Sequence, residues 1–285
     1  MKLHSIDIVD DISQEDFTKK YLIKRKPLVI RNYAKNWPAI SKWTLEFLNE
    51  HYGEIPVKLN GNWLENDPTS IHIPPVRSTP FSEYLSMMQK NEREDLKIFL
   101  FDLFKYAPEL HKDYSFTPIT KKYLKKFPFL FFGLAGSDVR LHYDIDLSNV
   151  FITQFLGTKR ITLFDQEQSK YLYRMPFTTH SAVDLRNLDF EKYPALKHVS
   201  GYQVDLKHGE TLFMPSGIWH YIEYLDSSFS LSLRSLSPSN NRILTGIWNF
   251  MVWRRFDAVL HKISNQYWSN YKMNNAFKSS NKFSA

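Results

Sequence analysis

Between residues 97 and 236 the chain alternates short apolar runs with polar turns. KIFLFDLF, FLFFGLA, NVFITQFLG, RITLFD, YQVDL, TLFMP, IWHYIEYL and FSLSLRSL follow one another, separated by Gly, Asp, Pro or Ser. Short runs bounded by turn formers predict a β-sandwich or barrel. The flanks read differently. Ser13 and Asp16 mark a helix start before FTKKYLIKRK, PLVIR is a short strand, and KWTLEFLNEHYG has helical spacing closed by Gly53. SEYLSMMQKNERE, from Ser82, predicts a helix that buries Tyr84, Leu85, Met87 and Met88. After Pro238, apolar residues at 243, 247, 250, 251, 256, 259, 260 and 263 predict a helix that is apolar over much of its circumference. Such a helix must bury itself, against its own barrel or against a second copy in a homodimer. The expected organisation is a barrel domain over 1–239 with a mixed front segment, a helical region over 240–273, and a polar, frayed tail over 274–285.

Composition narrows the chemistry. With 43% apolar and 16% aromatic residues among 285, the chain can build a substantial core. It has no cysteine, which excludes thiolate metal sites, iron–sulfur clusters, disulfides and cysteine nucleophiles. Any metal must be held by His, Asp or Glu. The N-terminus lacks the apolar core of a signal peptide, and the longest apolar run, FPFLFFGLAG, is far shorter than the ~20 residues of a membrane span. A soluble, cytoplasmic protein is expected. The formal charge of +7 is concentrated at the end: from Asn240 onward seven Lys or Arg face the single acid Asp257, a net +6. A basic end suits nucleic acid or an anionic surface, although an ordinary solvated helix face accounts for it more simply.

In LHYDIDLSN, His142 and Asp144 are two apart, so on an extended strand both side chains point to one face, as ligands to one ion must. By itself the pair reads better as a polar strand end with Asp144 opening a turn. A second histidine, His220, follows in HGETLFMPSGIWHYIEYL, at the start of an otherwise apolar strand after the Pro215-Ser216-Gly217 turn. Alone it reads as a hydrogen-bonded core residue. Together, the H-x-D pair and the G-E-T-L-F-M-P-x-G-x-W-H hairpin are far more specific.

On LHYD, QFLGTKRITLF, the glycine and tyrosine at 201–202, GETLFMPSGIWHYIE and SLSLRS, the segment from Leu141 to Ser235 resembles the JmjC or cupin-like oxygenases. It is similar to the asparaginyl hydroxylase that inhibits hypoxia-inducible factor. KPLVIRNYAKNWPAISKWTLEFLNEHYGEIPVKL resembles the front of the cupin-like members, so the likeness covers most of residues 20–236. It implies a mainly β fold with flanking helices, a double-stranded β-helix or jelly-roll with C-terminal helices added. It also implies a dioxygenase that uses Fe(II) and 2-oxoglutarate, with His142, Asp144 and His220 as metal ligands and catalytic centre. Two imidazoles and a carboxylate on one face of ferrous iron leave coordination positions open, which suits oxygen chemistry. Closed structural zinc sites instead take four protein ligands.

The resemblance also implies that Lys159, in GTKR, pairs with the far carboxylate of 2-oxoglutarate; the plain alternative is a solvent-facing turn lysine. Where the relative has a tyrosine and a threonine to assist, this chain has Phe99 and Val139, neither a donor. Arg234 stands where the relative has an asparagine. Ser230, Ser232 and Arg234 alternate with Leu231 and Leu233 and should face the barrel interior. A buried arginine needs a partner, either an anionic ligand or an acid such as Glu223. Asn149 and Ser232 complete the candidate co-substrate pocket. The substrate class implied is a protein side chain or a small molecule, with a tRNA base as the reading that the basic end keeps open. Two other classes compete: a non-catalytic binding barrel whose co-substrate pocket has dissolved, and a cupin metalloenzyme such as an isomerase, which usually wants more histidines near the H-x-D pair.

Overall fold

The computed structural model describes residues 1–63, 69–70 and 74–284. Among these residues fourteen strands run in chain order: β1 (Lys2–Ser5), β2 (Asp7–Val9), β3 (Leu28–Ile30), β4 (Pro56–Leu59), β5 (Arg77–Pro80), β6 (Lys97–Phe101) and β7 (Phe129–Gly133). They continue as β8 (Asp138–His142), β9 (Asn149–Leu156), β10 (Lys159–Phe164), β11 (Ser200–Leu206), β12 (Thr211–Met214), β13 (Trp219–Tyr224) and β14 (Ser228–Ser235). A smaller sheet has the order β1-β11-β10-β13-β8 and a larger one β2-β3-β12-β9-β14-β7-β6, with β4-β5 as a separate hairpin. Apart from β1 on β11 and β2 on β3, which are parallel, the pairings are antiparallel. The first nine residues thus add one strand to each sheet.

The period-2 alternation of the strands divides the core into layers. Val150, Ile152, Leu212 and Met214 of the larger sheet meet Ile161, Leu163 and Ile222 of the smaller one between the sheets. The alternate residues Phe151, Phe155, Phe213, Leu231 and Leu233 face outward and pack on the N-terminal helices. Those helices are α1 (Gln14–Phe17), α2 (Ala39–Lys42), α3 (Leu45–Tyr52) and α4 (Phe81–Gln89). Ser13 caps α1 by accepting from the Asp16 amide, and Thr44 caps α3 in the same way. The outer face of the smaller sheet, with Leu141, Tyr143, Phe164 and Trp219, is covered by the segment around Leu172 to Val199. The architecture is the sandwich or barrel that the alternating runs predict, in the jelly-roll form that the resemblance implies, with helices added.

The end of the chain departs from expectation. Helix α5 (Asn240–Trp248) passes through a wide turn at Asn249–Trp253 into α6 (Arg254–Ser280), which is broken at Ser264. There the chain folds back: Trp268 Nε1 donates to Asp257 Oδ1 at 2.8 Å, although eleven residues of straight helix would separate the two by about 16 Å. Residues 274–280 are no frayed tail. Ala276 and Ser280 are buried, and Ser280 Oγ accepts from the Tyr173 amide at 3.0 Å. The polar composition hid small contact residues on one face. Among the described residues no helix is long and apolar enough to cross a membrane.

Candidate metal centre

His142 closes β8, Asp144 follows in the next loop, and His220 is the second residue of β13, directly opposite His142 in register. On β8 the pairing shifts: three steps, from His142 to Val139, match two on β13, from His220 to Ile222. This β-bulge lets Val139 and His142 both face the space between the sheets despite their odd spacing. One donor atom each from His142, Asp144 and His220 lies within 4.8 Å of the others. Nδ1 of His142 is 2.8 Å from the Arg140 carbonyl, and Nδ1 of His220 is 3.2 Å from that of Ile218. Only an N–H can donate there, so Nε2 of each ring carries the lone pair and is free for an ion.

Burial, with His220 alongside, pushes the His142 pKa down to about 3 against the opposing pull of Asp144, and burial also lowers that of His220. Burial would raise the Asp144 carboxyl, but Arg234, His220 and His142 outweigh it and hold it at about 2. At neutral pH the set is two neutral imidazoles and one carboxylate, the protonation state that metal binding needs. An all-nitrogen-and-oxygen set of three fits a first-row divalent metal with positions left open.

Lys159 begins β10 and is buried, with its ammonium within 2.5 Å of Ser230 Oγ, 3.5 Å from the Phe131 carbonyl and 4.7 Å from the Tyr224 ring centre. No acid pairs with it among the described residues, and burial holds its amine well below the usual lysine range. It is not a turn lysine in solvent. Its neighbour Arg160, on the opposite face of β10, points outward and pairs with Asp205. Ser232, buried on the same face of β14 as Ser230, has a hydroxyl without a hydrogen-bond partner. Phe99 is 43% exposed and packs edge-on against Phe131, while Val139 joins the layer between the sheets.

Two sequence expectations are corrected. Arg234 does face the interior, but its guanidinium is 3.1 Å from both Asp144 Oδ2 and Asp146 Oδ1 and donates to Ser148 Oγ at 2.9 Å. It is a partner of the triad carboxylate rather than a free cation for a co-substrate. Glu223 could not serve, because it lies opposite Arg160 on the outer face of the smaller sheet. Asn149 is also committed. Its Nδ2 donates to Ser235 Oγ and the Leu236 carbonyl, and its Oδ1 accepts from the Ser216 amide, so both ends of the amide are engaged in pinning a turn.

Sequence reasoning missed Asp146, whose H-x-D-x-D spacing was the available signal, and His180. His180 bridges to His142 as an added strand residue, and its ring stacks on that imidazole with centroids 5.3 Å apart. Its Nδ1 is buried without a partner. No periodicity marks it, because the segment around it is irregular.

The chain matches the profile of the cupin-like domain over residues 14–239. It is 27% identical to lysine-specific demethylase JMJ21 of Arabidopsis thaliana over 81% of this chain and 25% of that protein. It is 28% identical to lysine-specific demethylase 8 of Xenopus tropicalis over 77% of this chain and 50% of that protein. With tRNA wybutosine-synthesizing protein 5 of Gallus gallus it shares 24% identity over 79% of this chain and 74% of that one. The chain therefore spans a quarter to a half of the two demethylases and more of the tRNA-modifying protein. With the jelly-roll, the facing histidines and this match over most of its length, the chain belongs to the cupin-like domain family.

Proposed function

We propose that this protein is an Fe(II)- and 2-oxoglutarate-dependent oxygenase that hydroxylates a C–H bond. The observation that carries the reading is a pairing inside one barrel: a three-donor centre with both Nε2 atoms free, and a fully buried lysine, Lys159, without an acidic partner among the described residues. A buried cation without a counter-charge is costly unless a ligand supplies one. His142, Asp144 and His220 would hold the iron, and Lys159 with Ser230 and the orphaned Ser232 hydroxyl would receive the distal carboxylate of 2-oxoglutarate. Bound together, iron, 2-oxoglutarate and dioxygen supply the oxidising power, with succinate and carbon dioxide released. Arg234 keeps the Asp144 carboxylate ionised and oriented.

Succinate formation from 2-oxoglutarate that requires added Fe(II), and is lost in His142→Ala and Asp144→Ala, is the expected outcome. Failure of the iron-loaded chain to bind 2-oxoglutarate, followed by anaerobic absorbance, would overturn the reading.

Hydroxylation is also the first step of N-demethylation, so relatives named demethylases are compatible with this centre. The likeness to an asparaginyl hydroxylase rests on the quoted residues alone. A second reading, oxidation of a tRNA base, is favoured by the share of the wybutosine-synthesizing relative that this chain covers and by the net +6 after residue 239. Loss of RNA retention when salt rises from 50 to 200 mM, on the order of a thousandfold for several phosphate contacts, would support it. We also infer a homodimer: Leu244, Ile247, Trp248, Met251, Val259 and Ile263 leave a broad apolar face exposed on the C-terminal helices. Sedimentation should give twice the chain mass, and Trp248→Glu should give the monomer.

A further inference from the structure

Helix α5 lies outside the matched cupin-like region, which ends at residue 239, yet it touches the segments that carry all three donors. Its first turn reaches the turn before His220: Arg242 Nη1 donates to the Ser216 carbonyl at 3.0 Å, and Nη2 donates to Gln166 Oε1. Its last turn reaches the loop after Asp144. Gly246 is buried against that loop so closely that a β-carbon there would run into the Asp146 carbonyl, with the Asp146 carbonyl carbon only 2.6 Å away. Just beyond, Asn249 Nδ2 donates to the Ile145 carbonyl at 3.3 Å. Glycine in a helix interior is less favourable than alanine, so its place here is explained by close approach and not by helix formation.

The two anchored segments also meet each other. Ser216 Oγ donates to the Leu147 carbonyl, and its amide donates to Asn149 Oδ1. Asp146, held from behind by Gly246, is the residue that pairs with Arg234, which in turn holds Asp144. Contacts therefore run without a gap from α5 to both halves of the centre.

We propose that α5 is a clasp for the metal centre, in which Arg242, Gly246 and Asn249 are positioning residues that fix the Asp144 loop against the His220 turn. The proposal concerns how the donors are held and rests on the metal-binding part of the reading above. It also has a signature without metal: the amides of Ile145–Ser148 should be protected from exchange because α5 covers them.

The test uses the full chain with Gly246→Ala, Asn249→Ala, Arg242→Ala and Arg242→Lys, and with Leu244→Ala as a control at an exposed position of the same helix. Mn(II) affinity is read by calorimetry, the Co(II) absorption spectrum reports ligand geometry, and amide exchange is followed in the metal-free chain. Gly246→Ala is expected to lose about tenfold or more in Mn(II) affinity, alter the Co(II) spectrum and speed exchange at 145–148. Asn249→Ala and Arg242→Ala should give smaller losses, Arg242→Lys should recover part of one, and Leu244→Ala should match the parent. Should Gly246→Ala fail to fold, the Asn249 and Arg242 variants decide. Folded variants with parental Mn(II) affinity and parental exchange at 145–148 would overturn the clasp. If the parent itself binds no Mn(II) or Co(II), the oxygenase reading fails, and exchange alone decides on the clasp.

Discussion

Lys159 and Arg234 are both cations brought between the sheets, and their surroundings set them different tasks. Lys159 has a hydroxyl, a carbonyl and an aromatic ring around it but, among the described residues, no acid, so in the ligand-free chain it is a net cost. Lys159→Met should therefore leave urea stability unchanged or raise it by about 1 kcal/mol, while weakening 2-oxoglutarate binding to the Mn(II)-loaded protein by about tenfold or more. A simultaneous loss of stability would show that the amine is structural. Arg234 is the opposite case, with two carboxylates and a hydroxyl already in hand. Removing it leaves Asp144 without its nearest cation, and Arg234→Met should cost about 2–4 kcal/mol in metal-free urea unfolding, less than a fully enclosed pair because Asp146 is part-exposed. Lysine at 234 should offset part of that cost, since Nη1 alone makes the contacts to Asp144, Asp146 and Ser148, but its ammonium ends one bond shorter and without the guanidinium's fixed plane. That Arg234 points inward was legible from the alternation of β14. Its partner was not, because the loop after Asp144 has no periodicity from which to read which acid turns back.

At the scale of elements, β8 carries a site at each end. His142 faces the centre, while Asp138, at the start of the strand, is buried beside Arg186 at 3.0 Å, next to a cavity of about 210 Å³. Burial pushes its carboxyl up to about 6, against the pull of Arg186. A carboxyl that holds its proton more tightly when folded weakens the fold as pH rises from about 4, near its unfolded value, to about 6, by about 3 kcal/mol at most, and the loss is then complete. Urea unfolding of the parent and Asp138→Asn across this range should show that decline flattened in the variant. Strands were the legible elements, since turn formers bracket each run. The C-terminal helices were half legible: the apolar spacing showed helix, but no Gly or Pro marks the reversal at Ser264. The polar stretch after Asn274 concealed Ala276, Phe277 and Ser280, which pack on Tyr173 and its neighbours. Truncation after Met273 should lower stability by about 3 kcal/mol or more, mostly through loss of the Phe277 ring.

Across the whole molecule, alternation made a sandwich or barrel legible, while the jelly-roll and the three donors were implied by the family resemblance that the H-x-D pair and the histidine hairpin carry. What joins them could not be read. The bulge in β8, the seating of α5 on two loops and the bridge to His180 all depend on contacts between distant segments, and no local pattern encodes them. The exposed apolar face of the C-terminal helices and the clasp use opposite sides of one element, so a monomeric variant such as Trp248→Glu should keep parental Mn(II) affinity by calorimetry. Lost affinity in the monomer would show that the two roles are linked.

The parallel pairing of Lys2–Ser5 with Ser200–Gln203 sets the order in which the protein can be made. Lys2–Ser5 has its partner almost two hundred residues downstream, so it must wait unpaired until Ser200–Gln203 has been made. β1 can accordingly join the edge of the smaller sheet only after β11 has been synthesised.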